Sequence, residues 1–143
     1  MMNEILAAWR WNGSVSEPVP YGEGHINQTY AVTEQATQKR YILQKINTDT
    51  FKDPDGLMEN ICGVTDFLRE KAKQCGADPE RATLHVALTK AGKPYYKAAD
   101  GGCWRVYDFV ENTVCLQQVQ SAEDFYQSAV AFGNFQHQLA AYP

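Results

Sequence analysis

The sequence predicts an α+β domain in which an antiparallel sheet carries one long helix. Three observations point there. Short stretches rich in β-branched and aromatic residues are joined by glycine-bearing or polar turns, as in "YGEGHINQTYAV" and "DGGCWRVYDFV". Between them, Leu57, Met58, Ile61, Val64, Phe67 and Leu68 recur at helical spacing. The element order is helix, two strands, helix, two or three strands, helix, and the short hairpin connections imply antiparallel pairing.

Taken in order, "MNEILAAWRW" reads as a short amphipathic helix with Ile5, Leu6 and Trp9 on one side, stopped at Asn12-Gly13. Val15 to Tyr21 holds two prolines and is at best an edge strand. From His25 to Val32 the residues alternate, Ile26, Gln28, Tyr30 and Val32 against Asn27, Thr29 and Ala31. A polar loop, 33–39, leads into "RYILQKI", which is apolar on both faces, as in a strand covered on both sides. Asp53 and Pro54 suit the N-cap and first position of the long helix. Lys71 and Lys73 sit near its end, and Gly76 closes it. "TLHVALT" and "YYKA" then flank a Lys-Ala-Gly-Lys turn, and Asp100-Gly101-Gly102 signals a hairpin into "CWRVYDFV". The last helix starts at Ser121 with Asp124 placed as in a capping box. It carries two apolar stripes. Phe125, Phe132 and Leu139 make one and Tyr126, Val130 and the Gly133 notch the other; one side can rest on the sheet and hinge, and the second implies a further neighbour.

With 143 residues there is room for one ordinary domain. Hydrophobic residues at 44% and charged ones at 21% fit a folded chain rather than a disordered one. A net charge of -4 argues against nucleic acid bound through a broad basic face, while a small anion held by backbone N–H groups stays compatible. No apolar run approaches the ~18 residues of a membrane span. "ILAAW" is too short for a signal peptide and lacks a basic flank, so the expected compartment is the cytoplasm, with no membrane partner. Cys62, Cys75, Cys103 and Cys115 form no C-x-x-C pair and read as reduced thiols. His25, His85 and His137 are scattered, so no metal site is expected within the chain.

A hairpin with glycines at its tip, then a buried strand, then a helix, is what a lobe that cradles a nucleotide needs. Glycine lets backbone N–H groups come close to phosphate oxygens. Gly22-Glu23-Gly24 lacks the full G-x-G-x-x-G pattern, and a plain hairpin turn explains it too. In "RYILQKIN", a polar Gln44 and a cationic Lys45 interrupt an apolar strand, and Glu59 is a carboxylate on the following helix. A cation there could pair with phosphates and that carboxylate. Equally, Lys45 could snorkel to solvent and Glu59 could serve the helix dipole. Alternation puts Gln44 and Lys45 on opposite faces, so only one can serve a ligand. "CWRVYDFVENT" has the form of a hinge whose backbone could read an adenine edge, or of a core strand with Trp104, Val106 and Phe109 buried.

Together "YGEGHINQTYAV", "RYILQKIN", "LMENICGVTDFLR", "GGCWRVYDFVENTV" and "AFGNFQHQL" resemble the N-terminal part of the N-acetylhexosamine 1-kinase branch of the aminoglycoside phosphotransferase and choline kinase superfamily. The resemblance implies a protein-kinase-like fold. Residues 1–107 would form the small nucleotide-binding lobe, about five antiparallel strands and one helix. Residues 108–120 would be the hinge, and 121–143 the start of the large lobe.

It also implies ATP and Mg²⁺ as cofactors and an amino sugar as the substrate. The γ-phosphoryl group would pass to the anomeric hydroxyl of an N-acetylhexosamine. Gly22, Gly24, His25 and Asn27 would cover the phosphates. Gln44 or Lys45 would approach them, with Glu59 on the helix behind, and Tyr107, Phe109 and Glu111 would border the adenine. Register against the preceding leucine puts Gln44 where many relatives carry lysine or arginine; this branch is similar in having glutamine there. The family's catalytic loop and its magnesium-binding aspartate have no counterpart up to Pro143, so no catalytic residue is expected in this chain. It reads as a fragment of a longer enzyme, inactive alone and self-associating through residues 121–140.

Other acceptors on the same fold (an aminoglycoside, choline or another sugar), or a non-catalytic module that binds a nucleotide or a partner, are the alternative functions. An open reading frame past Pro143 with a His-x-Asp loop would separate enzyme from module. A sulfatase is not expected, since no C-x-P-x-R signal occurs.

Overall fold

A computed structural model describes residues 2–22, 27–111 and 121–142. The chain divides into two compact units, Met1–Gly63 with Leu84–Phe109, and Val64–Thr83 with Val110–Pro143. The fold is α+β with an antiparallel six-stranded sheet, and that sheet lies in the first unit. In chain order the elements are α1 (Met2–Leu6), β1 (Val19–Pro20), β2 (Gln28–Thr33), β3 (Arg40–Ile46), α2 (Pro54–Gln74), α3 (Pro79–Ala82), β4 (Val86–Ala87), β5 (Tyr96–Lys97), β6 (Cys103–Asp108) and α4 (Ala122–Gln138), followed by a 3₁₀ turn.

The strand order is β1-β2-β3-β6-β4, with β5 also on β6. Period two sorts the side chains onto two faces. On one, Val32, Leu43, Trp104 and Val106 pack with Ile5, Leu6 and Trp9 from α1 and the turn after it. On the other, Ile46, Cys103 and Val86 pack with Met58 of α2. The strand expected to be covered on both sides is therefore β3, where Ile42, Leu43 and Ile46 are all buried. The prolines keep β1 to two residues at the sheet edge, as expected. Asp53 caps α2 by accepting the Gly56 N–H at 3.1 Å. A Cβ on Gly56 would lie 2.5 Å from Asp53 Oδ2, so glycine makes room for the cap.

One expectation about strands needs correction. The segments either side of the Lys-Ala-Gly-Lys turn do not form a hairpin with each other. Val86 and Ala87 pair with Tyr107 and Val106, while Tyr96 and Lys97 pair with Trp104 and Cys103. They are successive pieces of one broken edge, both antiparallel to β6, and 88–95 loops out between them. The Gly92 turn closes that loop locally, through Thr89 N–H to Lys93 O at 2.8 Å. The described part of β2 begins at Gln28; His25 and Ile26, expected to open it, lie outside the described residues. The Gly101 hairpin into β6 forms as expected.

In the second unit, Thr65, Leu68 and Ala72 of α2 are buried. The short α3, which hydrophobic spacing did not show, is capped by Asp78 accepting the Glu80 N–H at 2.9 Å. Ser121 caps α4 through the Asp124 N–H at 3.1 Å, as its sequence predicts. The Phe125 and Phe132 rings of α4 stand exposed. No α4 residue is buried, and these two rings are 67% and 63% exposed. The helix is held at its end instead. Lys71 donates to Gln138 O at 3.1 Å, and Phe67 meets Tyr142 edge-on at 5.2 Å. Gly133 makes no close approach either: a Cβ there would meet nothing within 4 Å.

Candidate functional site

β2, β3 and β6 lie side by side, so their cross-strand rows determine which polar groups meet. One row is Thr29, Gln44 and Arg105, paired across the three strands. Its side chains bond in series. Gln44 Nε2 donates to Thr29 Oγ1 at 3.0 Å, and Gln44 Oε1 accepts from Arg105 Nε at 2.9 Å and Nη2 at 2.6 Å. Arg105 Nη1 points to Met58 Sδ at 3.6 Å. The row therefore occupies the face that carries α2.

The neighbouring row is Gln28, Lys45, Trp104 and Tyr96, on the α1 face. Lys45 Nζ lies 6.0 Å from the Trp104 ring centroid. It also lines a polar cavity of about 280 Å³ with Gln28, Asn47, Thr48 and Asp49. Gln44 and Lys45 thus serve different faces, as alternation requires.

The glycine-bearing turn joins β1 to β2. Gly22 has φ +80°, a conformation that favours glycine. Asn27, at the other end, accepts the Asn47 N–H through its side chain at 2.7 Å. It thereby ties the turn to the segment just after β3. Gly24 and His25 lie outside the described residues.

At the far end of β6, Phe109 meets Tyr21 edge-on at 5.2 Å and has the Arg40 guanidinium 3.9 Å over its ring. Tyr107 shares the α2 face with Arg105. Burial pushes its phenol pKa up, against a smaller opposing pull from Arg105. Glu111 belongs to the second unit, where its carbonyl accepts a bond from Arg81.

The structure thus brings Gln44 and Tyr107 to one face, with Phe109 just beyond β6 touching Tyr21. Lys45 is on the opposite face. Glu59 is exposed on α2, and no described cation lies within ion-pairing distance of it. Arg105 is the residue that sequence reasoning missed. It stood in "CWRVYDFV" as one polar residue in an apolar strand, the same signal that marked Gln44. Burial pulls its pKa down, a sign of a cation short of solvent.

Among the described residues, no group of three or more His, Cys, Asp or Glu side chains could hold a metal, and no helix is long and apolar enough to cross a membrane. Among the described residues, Cys75 and Cys103 are free thiols. No model of a known protein family matches the chain.

Proposed function

We propose that this chain is the nucleotide-binding small lobe of a protein-kinase-like phosphotransferase, of the N-acetylhexosamine 1-kinase type its motifs resemble. One observation carries the reading. A glycine-bearing turn is tied through Asn27 to the end of the strand that presents Gln44 on the α2 face. A phosphate chain on that face would lie beside the bonded pair of Gln44 and Arg105. The aromatic pair Tyr21 and Phe109, with Tyr107, supplies the apolar wall that an adenine ring requires. ATP fits this donor-rich face. The described residues offer no set of ligands for Mg²⁺, so no role is assigned to them in holding it. In the protein that carries this lobe, the acceptor would be the anomeric hydroxyl of an N-acetylhexosamine, and catalysis would rest on positioning and charge stabilisation.

The test is an amide chemical-shift titration of the 143-residue chain with ATP. Binding on the millimolar scale, roughly -4 kcal/mol, is expected for a cleft built from one lobe. Shifts should cluster at Gly22, Asn27 to Thr29, Gln44 and Tyr107 to Phe109. Shifts confined to residues 78–100, or none at all, would overturn the reading.

A further inference from the structure

We infer that the cation of this phosphate site is Arg105 on β6, held in place by Gln44, and that its ligand is a polyphosphate chain on the α2 face. The inference rests on the nucleotide-lobe reading and adds to it the residue that recognises charge.

Four observations converge on Arg105. First, it is a half-buried cation, and among the described residues no carboxylate is within ion-pairing distance of it. Taking a guanidinium out of water is costly unless an anion compensates. Here the protein supplies only a neutral amide oxygen and a thioether sulfur. Second, those contacts use three of the five N–H donors of a guanidinium, leaving two for a ligand. A planar fork with free donors suits phosphate oxygens.

Third, Gln44 is built as a buttress. Its Nε2 is committed to Thr29, which fixes the amide so that Oε1 faces Arg105. A lysine at position 44 would instead repel Arg105 across the row. The glutamine is thus what permits the cation on the next strand. Fourth, Arg105 sits opposite the break in the sheet edge, with Val106 and Tyr107 paired to β4 and Cys103 and Trp104 paired to β5. Gln44 is a positioning residue in this scheme, and Arg105 is the group that touches the ligand.

Lys45 is the competing cation. It faces away from this row, beside Trp104 on the α1 side, and lines a different cavity. The two candidates are therefore separable by mutation.

The experiment compares ATP, adenosine and inorganic triphosphate on the wild-type chain and on Arg105→Gln, Arg105→Lys, Gln44→Met and Lys45→Met, by chemical-shift titration. Wild type should prefer ATP to adenosine about tenfold and should bind triphosphate on the same face. Arg105→Gln, which can still donate to Gln44, should bring ATP down to the adenosine level and leave adenosine within about twofold. Arg105→Lys keeps the charge without the fork and should fall between. Gln44→Met should weaken ATP but not adenosine, a selectivity that a purely structural role would not produce. Lys45→Met should change none of these ratios.

A second measurement needs no variant. Modification of Arg105 by an arginine-specific dicarbonyl, read by mass spectrometry on wild-type protein, should be slowed by ATP and triphosphate but not by adenosine. If ATP binds, but Lys45→Met rather than Arg105→Gln removes its advantage, the inference falls and the nucleotide reading stands. Unprotected Arg105 at saturating ATP has the same meaning. If neither ATP nor adenosine binds, the nucleotide reading itself fails and takes the inference with it.

Discussion

Glu34 should control how the sheet responds to acid. It lies in the polar turn between β2 and β3, yet it is only 3% exposed. Its Oε1 accepts the Thr37 hydroxyl at 2.6 Å and its Oε2 accepts the Asn12 N–H at 2.8 Å. The carboxylate therefore joins the turn to the segment after α1. The Thr37 bond first, then the Asn12 bond, hold its pKa below the ordinary 4.5, against the opposing effect of burial. Because the folded value is depressed, the unfolded chain takes up the proton first. The stabilisation is fully present above pH 4.5 and is lost as pH falls through the folded value.

Glu34→Gln retains the shape and can still make both bonds, one as acceptor and one as donor, but without charge. Charge-assisted bonds contribute about 1.5–3 kcal/mol each and neutral ones about 1, so weakening both should cost roughly 1–4 kcal/mol at pH 7. Urea unfolding of both proteins at pH 7 and pH 3 tests this. The gap should be widest at pH 7 and narrower at pH 3. An equal gap at both pH values would refute the assignment of the effect to the carboxylate's charge.

Three further outcomes are expected. Tyr95 donates to Asp55 Oδ1 at 2.8 Å, and that bond, with burial, pushes its pKa up to about 12. Its stabilisation should be complete below pH 10 and decline as pH rises from 10 towards 12; Tyr95→Phe should lose that part of the alkaline decline, and identical alkaline circular-dichroism titrations would refute it. Gly101 has φ +89° and open space where a Cβ would go, so Gly101→Ala should cost about 1–2 kcal/mol from backbone strain alone, and an unchanged thermal midpoint would contradict this. Phe125, Tyr126, Phe132 and Phe135 are exposed along α4, so light scattering of the 143-residue chain should show mass rising with concentration, less so in Phe132→Asp; a strict monomer in both would refute association through this helix.

Most of the fold was readable because its signals are local. Pro54 and Asp53 mark the start of α2, Gly101 the hairpin into β6, and Ser121 the cap of α4, each through chemistry confined to one turn. What could not be read depends on partners distant in the chain. The Lys-Ala-Gly-Lys turn looks like a hairpin, but β6 offers a longer partner than either flanking segment offers the other, so both pair with β6. Glu34 looks like a solvated turn acid until the segment after α1 is known to lie beside it. The Phe125 stripe looks like a core face because hydrophobic spacing states that a face exists, not what covers it.

The candidate site shows the same limit one level higher. Period two sufficed to say that Gln44 and Lys45 serve opposite faces, but not which face carries α2. That needed Met58, whose sulfur receives Arg105. Once β3 and β6 are paired, the odd polar residue in each strand falls in a single row, Gln44 beside Arg105. Two polar interruptions that each look like an isolated exception are then one feature. A desolvated guanidinium on this sheet face has a neutral amide beside it, where a second cation would repel it and a carboxylate would neutralise it. On the inference above, the glutamine in "RYILQKIN" is the group that leaves the charge on the adjacent strand available. Exchanging the two side chains, Gln44→Arg with Arg105→Gln, tests that idea: the row would keep its hydrogen-bonding partners and its single positive charge, and ATP preference over adenosine should survive within a few-fold. Loss of the preference in a folded double variant would show that the position of the charge on β6 matters, rather than its presence in the row.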